Sequence, residues 1–124
     1  MTFLSGSVEA EETVRVIKDA LLEKKAVEIK IIDLRELDGA TFDFFVIAHG
    51  TSDVHVGAVA DNVAEKTAEI LSVKPSHIEG KQNNEWVLLD YFDVVVHVFK
   101  EETRRFFNIE SLWADADIKI VDED

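Results

Sequence analysis

The stretch from Glu85 to Phe99 constrains this 124-residue chain more than any other. Glu85–Tyr91 and Asp93–Phe99 are two apolar, β-branched runs with almost nothing between them, so they read as antiparallel strands of one hairpin. Strand alternation puts Trp86, Leu88 and Asp90 on one face of the first run and Val87, Leu89 and Tyr91 on the other. On the second run Val94, Val96 and Val98 oppose Asp93, Val95, His97 and Phe99. Polar side chains therefore stand at regular places in otherwise apolar strands.

The rest of the chain supplies elements to pack on that hairpin. Ser7 is a candidate cap for a helix whose inward stripe is Ala10, Val14, Ile17 and Leu21, with Lys24 and Lys25 at its end. Ala26–Asp33 alternates as a half-buried strand, and Asp38-Gly39 marks a turn after it. Asp43–Ala48 reads as a strand buried on both faces. Ser52 then caps a helix to about Leu71, with Val56, Val59, Val63, Thr67 and Ile70 inward. Ser76–Gly80 follows as a short edge strand and Lys81–Asn84 as a turn. Lys100–Ala116 reads as a third helix with Phe106, Ile109 and Trp113 on one stripe, and Asp117–Asp124 as an acidic tail. The order α-β-β-α-β-β-β-α predicts an α/β (α+β) fold, a mixed sheet of about five strands with three helices. It forms one domain over 1–124 with flexible ends at 1–6 and 117–124.

Charge narrows the partners. Thirteen Lys and Arg against 26 Asp and Glu leave a formal net charge of −13. Nucleic-acid binding rests on cations that neutralise phosphates, so no DNA partner and little direct RNA contact are expected. A basic protein surface would be attracted. No cysteine is present, which removes disulfides and thiolate chemistry. The longest fully apolar run, Phe44–Ala48, is far too short to span a bilayer, and Met1–Ser7 lacks a secretory signal pattern. The expected location is cytoplasmic, with no membrane association.

Reactive chemistry has little to stand on. No two of His49, His55, His77 and His97 have the i, i+4 spacing of paired helical metal ligands. Asp53, His55, Asp90, Asp93 and His97 could meet only through tertiary folding. Gly50-Thr51-Ser52 lies between a strand and a helix N-terminus, where free amides favour an anion, and a Gly-Ser turn here also opens the nucleotidyltransferase fold. Such enzymes need a strand-borne carboxylate pair for their metal ions. Here Asp115/Asp117 and Asp122/Asp124 come at or after the last helix, and no Lys or Arg follows the turn before Lys66. No catalytic residue, metal or cofactor is therefore expected, and the turn reads as an unused helix N-terminus; a nucleotide-binding enzyme stays as the alternative. Trp86, Trp113, Tyr91 and Arg104-Arg105 gather in the last third of the chain, the residue types enriched in interface hot spots.

Taken in order, these segments resemble the ribosomal silencing factor family (RsfS, or Iojap). The matching pieces are Asp43-Phe44-Phe45-Val46-Ile47, Gly50-Thr51-Ser52 with His55-Val56, and Glu79-Gly80, then Glu85–Tyr91, Asp93–Phe99 and Arg104–Trp113. They cover about Ser7 to Ala116. The resemblance implies a non-catalytic relative of the nucleotidyltransferase fold. It would bind the large ribosomal subunit through the basic ribosomal protein numbered fourteen, on the face that meets the small subunit. Subunit joining would be blocked sterically, above all in starvation; a role in large-subunit assembly is also associated with the family. By position, contact is expected at Trp86, Asp90, Tyr91, Asp93 and His97, then at Arg104, Arg105 and Glu110. The last three are also candidates to fix the final helix to the sheet. Self-association as a homodimer through the same apolar surface is expected of the free protein. Two departures stand out: Phe92 replaces a residue commonly small, often glycine, and Phe107 replaces a usual tyrosine.

Overall fold

Apolar spacing decides which residues turn inward in the computed structural model, which describes residues 6–122. The elements are α1 (Gly6–Glu23), β1 (Val27–Asp33), β2 (Phe44–Gly50), α2 (Asp53–Leu71), β3 (His77–Glu79), β4 (Trp86–Asp90), β5 (Val94–Lys100), α3 (Glu101–Phe107), a 3-10 turn (Ile109–Trp113) and β6 (Asp117–Ile120). One sheet of order β3-β4-β5-β2-β1-β6 contains all six strands. Its central pair, β2 and β5, is parallel, because α2, β3 and β4 intervene and carry the chain back to the same end. The other four neighbouring pairs are antiparallel, the β4–β5 hairpin among them.

The expected stripes explain the helical layer. Ala10, Ile17 and Leu21 of α1 and Val56, Val59, Val63 and Thr67 of α2 are all buried. They pack on Ile29, Val46, Ala48, Val87, Leu89, Val94, Val96 and Val98 from the sheet's first face. Ser52 caps α2 from extended backbone, its Oγ accepting the His55 amide at 3.1 Å. Asn62, buried between the helices, donates from Nδ2 to the Ala20 carbonyl and to Glu23. Gly80, at φ +91°, fits a place where a Cβ would stand 1.9 Å from the Trp86 carbonyl, so a bare backbone is required to bring β3 beside β4.

Five expectations need correction. The sheet has six strands, because Asp117–Ile120 of the presumed flexible tail pairs antiparallel with Lys30–Asp33. That edge of β1 would otherwise leave its backbone groups unpaired. The long third helix ends at Phe107: Asn108 takes the left-handed conformation, φ +46°, and its amide bonds to the Arg104 carbonyl. The stripe assumed for that helix therefore does not exist. Ile109 and Trp113 pack on the sheet's second face while Phe106 is 80% exposed. Ile70 is exposed. Finally, α1 starts at Gly6, before the expected cap Ser7. Residues 1–5, the bulk of the other end expected to be flexible, lie outside the described residues.

Candidate partner-binding face

The second face of the sheet carries the polar positions. Register aligns Leu88 with His97 and His97 with Ile47, and beside them Trp86 with Phe99 and Phe99 with His49. The C-terminal segment covers this face together with Leu34, Leu37 and Phe42 of the loop after β1, and much of the contact is between rings. Phe106 meets Phe107 edge-on at 5.0 Å, Phe107 meets Trp86 at 5.1 Å, and Trp86 meets Phe99 at 4.9 Å. Phe45 links His97, at 5.0 Å, to Trp113, at 5.4 Å. A continuous aromatic belt thus crosses the sheet, half-buried at Trp86 and open at Phe106 and Phe107.

His97 sits inside the belt, 5% exposed. The Trp86 indole donates to its Nδ1 at 3.1 Å, so the ring proton resides on Nε2, which has no hydrogen-bond partner among the described residues. Burial holds its pKa down to about 4. The imidazole is neutral at pH 7 and locks the tryptophan's orientation.

The segment that carries the belt is clasped by ions. Arg104, 1% exposed, donates to both carboxylate oxygens of Glu110, at 3.0 and 3.1 Å, and to His49 Nδ1 at 2.9 Å. Lys30 of β1 reaches Glu110 at 2.9 Å. Burial alone would push the Glu110 carboxyl up, but Arg104 and Lys30 outweigh it and hold the group at about 2. Burial and the neighbouring Arg104 push the His49 imidazole down, as suits a ring that accepts from a guanidinium.

Each anticipated site residue can now be placed. Trp86 and His97 belong to the belt. Asp90 accepts the Phe92 amide at 2.8 Å and so braces the hairpin turn. Tyr91 points the other way, buried against α2 with its hydroxyl 2.9 Å from Thr67. Asp93 lines a groove between that turn and α1. Arg104 and Glu110 fix the C-terminal segment to the sheet, while exposed Arg105 binds Glu28 at 2.6 Å and Glu101 at 3.2 Å. Phe42, Phe45 and Lys30 were not anticipated; no linear spacing ties them to the C-terminal segment, and only the register brings them there.

Two alternative chemistries can be tested on the geometry. At the Gly50-Thr51-Ser52 turn the Thr51 amide donates to His55 Nδ1 at 3.0 Å, and His55 Nε2 donates to the Lys24 carbonyl at 2.8 Å. With the Val54 amide held by Asp53 and the His55 amide by Ser52, three amides of this turn are engaged by the chain itself. Glu28, His49 and Glu101 bring ligand atoms within 4.8 Å of one another, a grouping the sequence did not suggest. The Arg105 guanidinium already bridges the two carboxylates, so the cationic place is filled by protein.

The family profile described as "Ribosomal silencing factor during starvation" matches residues 7–124. The chain belongs to the ribosomal silencing factor family. A Halalkalibacterium halodurans protein named ribosomal silencing factor RsfS is 35% identical over 106 residues, 86% of this chain and 89% of that one. A crystal structure from Chromobacterium violaceum superposes with a TM-score of 0.78 at 35% identity, covering 83% and 84% of the two chains. A mouse protein named "Mitochondrial assembly of ribosomal large subunit protein 1" is 34% identical over 73 residues, 57% of this chain and 32% of its own. Within this silencing-factor fold the two departures have visible consequences. Phe92 takes φ +76° at the hairpin turn, a conformation that suits glycine, and is 76% exposed. Phe107 contributes a bare ring to the belt. Among the described residues no helix is long and apolar enough to cross a membrane.

Proposed function

We propose that this silencing-factor chain is a ribosome-associated repressor that docks its aromatic belt on a basic protein of the large subunit, the one numbered fourteen, and sterically blocks joining of the small subunit. The observation that carries the reading is the belt itself. Trp86, Phe107 and Phe106 form a contiguous, partly exposed aromatic surface on a rigid sheet, the composition of an interface hot spot. Support comes from the net charge of −13, which suits a basic partner, and from the relatives, one named for silencing and one for large-subunit assembly. Steric exclusion requires an anchored shape and no reactive group. The ion clasp of Arg104, Glu110 and Lys30 supplies the anchor by holding the belt's outer wall in place.

The test is sedimentation of ribosomes with purified protein at magnesium concentrations that normally join the subunits. The expected result is co-migration with large subunits and accumulation of free subunits. Protein that stays at the top of the gradient while joined ribosomes persist would overturn the reading. Tracking the protein on large-subunit precursors as well as mature subunits separates silencing from assembly.

A further inference from the structure

A second surface lies at the far end of the helical layer. Here the start of α1, the end of α2 and the β4–β5 turn enclose an open groove of about 740 Å³. Its apolar walls are Leu71, Val73, Tyr91 and Phe92, and its rim carries Glu9, Glu12 and Asp93. Neither Glu9 nor Asp93 is ion-paired among the described residues, whereas Glu12 is shared with Arg15 one turn on. Burial pushes the Asp93 carboxyl up, and the negative charges of Asp43 and Glu9 push it further, so like charge gathers here. The last turn of α2 holds no basic residue, and the negative end of its dipole is offset by the positive end of α1, so the field of the groove is set by its carboxylates. Lys74, the next basic residue along the chain, is exposed and does not line the groove. Phe92 stands out from the turn at φ +76°, offering a ring face to a guanidinium.

We infer that this groove binds a cationic peptide segment, an apolar side chain seated between Leu71, Val73 and Phe92 with flanking arginines or lysines on Glu9 and Asp93. Charge complementarity selects this occupant: a neutral apolar ligand would leave the carboxylates unanswered, and an anionic one would be repelled. The surface is separate from the aromatic belt, because Tyr91 and the helices lie on the opposite side of the sheet from Trp86. The protein would thus have two faces for basic partners, one aromatic and one acidic.

The experiment titrates the isotope-labelled full chain with a capped hexapeptide of four arginines and two leucines, following backbone amides by NMR. Shifts are expected to cluster at Thr13, Leu71, Val73, Phe92 and Asp93. Glu9→Lys, on the exposed surface of α1, should weaken binding at least tenfold, and Phe92→Ser about fivefold. A peptide of four arginines and two serines should bind at least tenfold more weakly. Trp86→Ala should leave binding unchanged, which separates this groove from the proposed ribosome contact. The inference is overturned by shifts scattered over the acidic surface, by equal binding of the serine peptide, or by no shift at millimolar peptide. It is equally overturned if the groove amides move with protein concentration alone, which would make a second copy the occupant, or if deleting residues 1–5 is what opens the groove.

Discussion

The two faces of this sheet are packed by different means. Against α1 and α2 the filling is mostly aliphatic: valines, isoleucines, leucines and alanines from two helices and the sheet interlock, with Phe44 and Tyr91 among them. Such packing needs no orientation beyond shape, and its strength follows buried area. On the other face a short helix and a 3-10 turn pack with aromatic rings on the strands, and an Arg–Glu–Lys cluster, buried at Arg104, ties that segment to the sheet. A charge cluster of this kind contributes little net stability when intact and costs much when broken. What it does supply is a unique placement for the C-terminal segment. The helix face is therefore robust and the aromatic face conditional, and the surface proposed for a partner is the conditional one.

Substitution at the clasp breaks this contrast most sharply. Arg104→Ala should destabilise the protein by about 3 kcal/mol, because buried His49 loses its partner and half-buried Glu110 is left with Lys30 alone. The urea midpoint reports the loss, and hydrogen exchange in β6 and the 3-10 turn should rise before exchange in α1 and α2. Uniform loosening of both faces would sink the distinction.

Acid offers the next largest effect. The folded chain holds His97 at about 4, while an unfolded histidine titrates near pH ~6.5. Between those values the unfolded chain takes up a proton that the folded one refuses. Stability then falls as pH is lowered through the window, by about 3 kcal/mol, and this contribution is flat below pH ~4. Glu110 extends the loss: its carboxylate contribution is present above pH ~4.3 and disappears as pH falls toward about 2. Denaturation curves at pH 7 and pH 5 should draw closer for His97→Gln, the remaining gap coming from His49, whose imidazole is also held down; an unchanged pH dependence in that variant would show that the titration lies elsewhere.

Trp86→Ala sharpens the functional side of the comparison. It should weaken large-subunit binding by about 2 kcal/mol, roughly thirtyfold, if the belt is the hot spot. Co-sedimentation at varied ribosome concentration measures this, and Leu21→Ala on the helix face, though it costs stability, should leave the affinity of the folded fraction alone. The smallest effect is expected at the hairpin turn. Phe92→Gly removes a side chain from left-handed backbone and should stabilise the fold by about 0.5–1 kcal/mol, seen as a modest rise in Tm.

Much of the helix face was legible in the sequence. Ala10, Val14, Ile17 and Leu21, like Val56, Val59, Val63 and Thr67, repeat at the helical period, and a repeated period survives any detail of packing. The hairpin was legible for the same reason, with a period of two. The C-terminal segment was not. Its apolar residues fit a helical stripe from Phe106 to Trp113, yet a left-handed Asn108 breaks the helix so that Glu110 can reach Arg104 and Lys30. Asp117–Ile120 has the composition of a solvated tail and becomes a strand because β1 has an open edge. Within the candidate site, Trp86 and His97, named from the family resemblance, meet on one face, whereas Tyr91, which alternation had already set on the other face, bonds to Thr67 there.

Local repetition in the sequence determined two amphipathic helices, the hairpin and an acidic chain with no thiol chemistry, since those follow from residue types and their spacing. The tertiary structure alone decided the order of the strands, the course of the C-terminal segment and the meeting of Lys30, His49, Arg104 and Glu110. These depend on contacts between residues as far apart in the chain as Ile29 and Val121. A buried charge is tolerable only beside its partner, and no local pattern says where that partner will be.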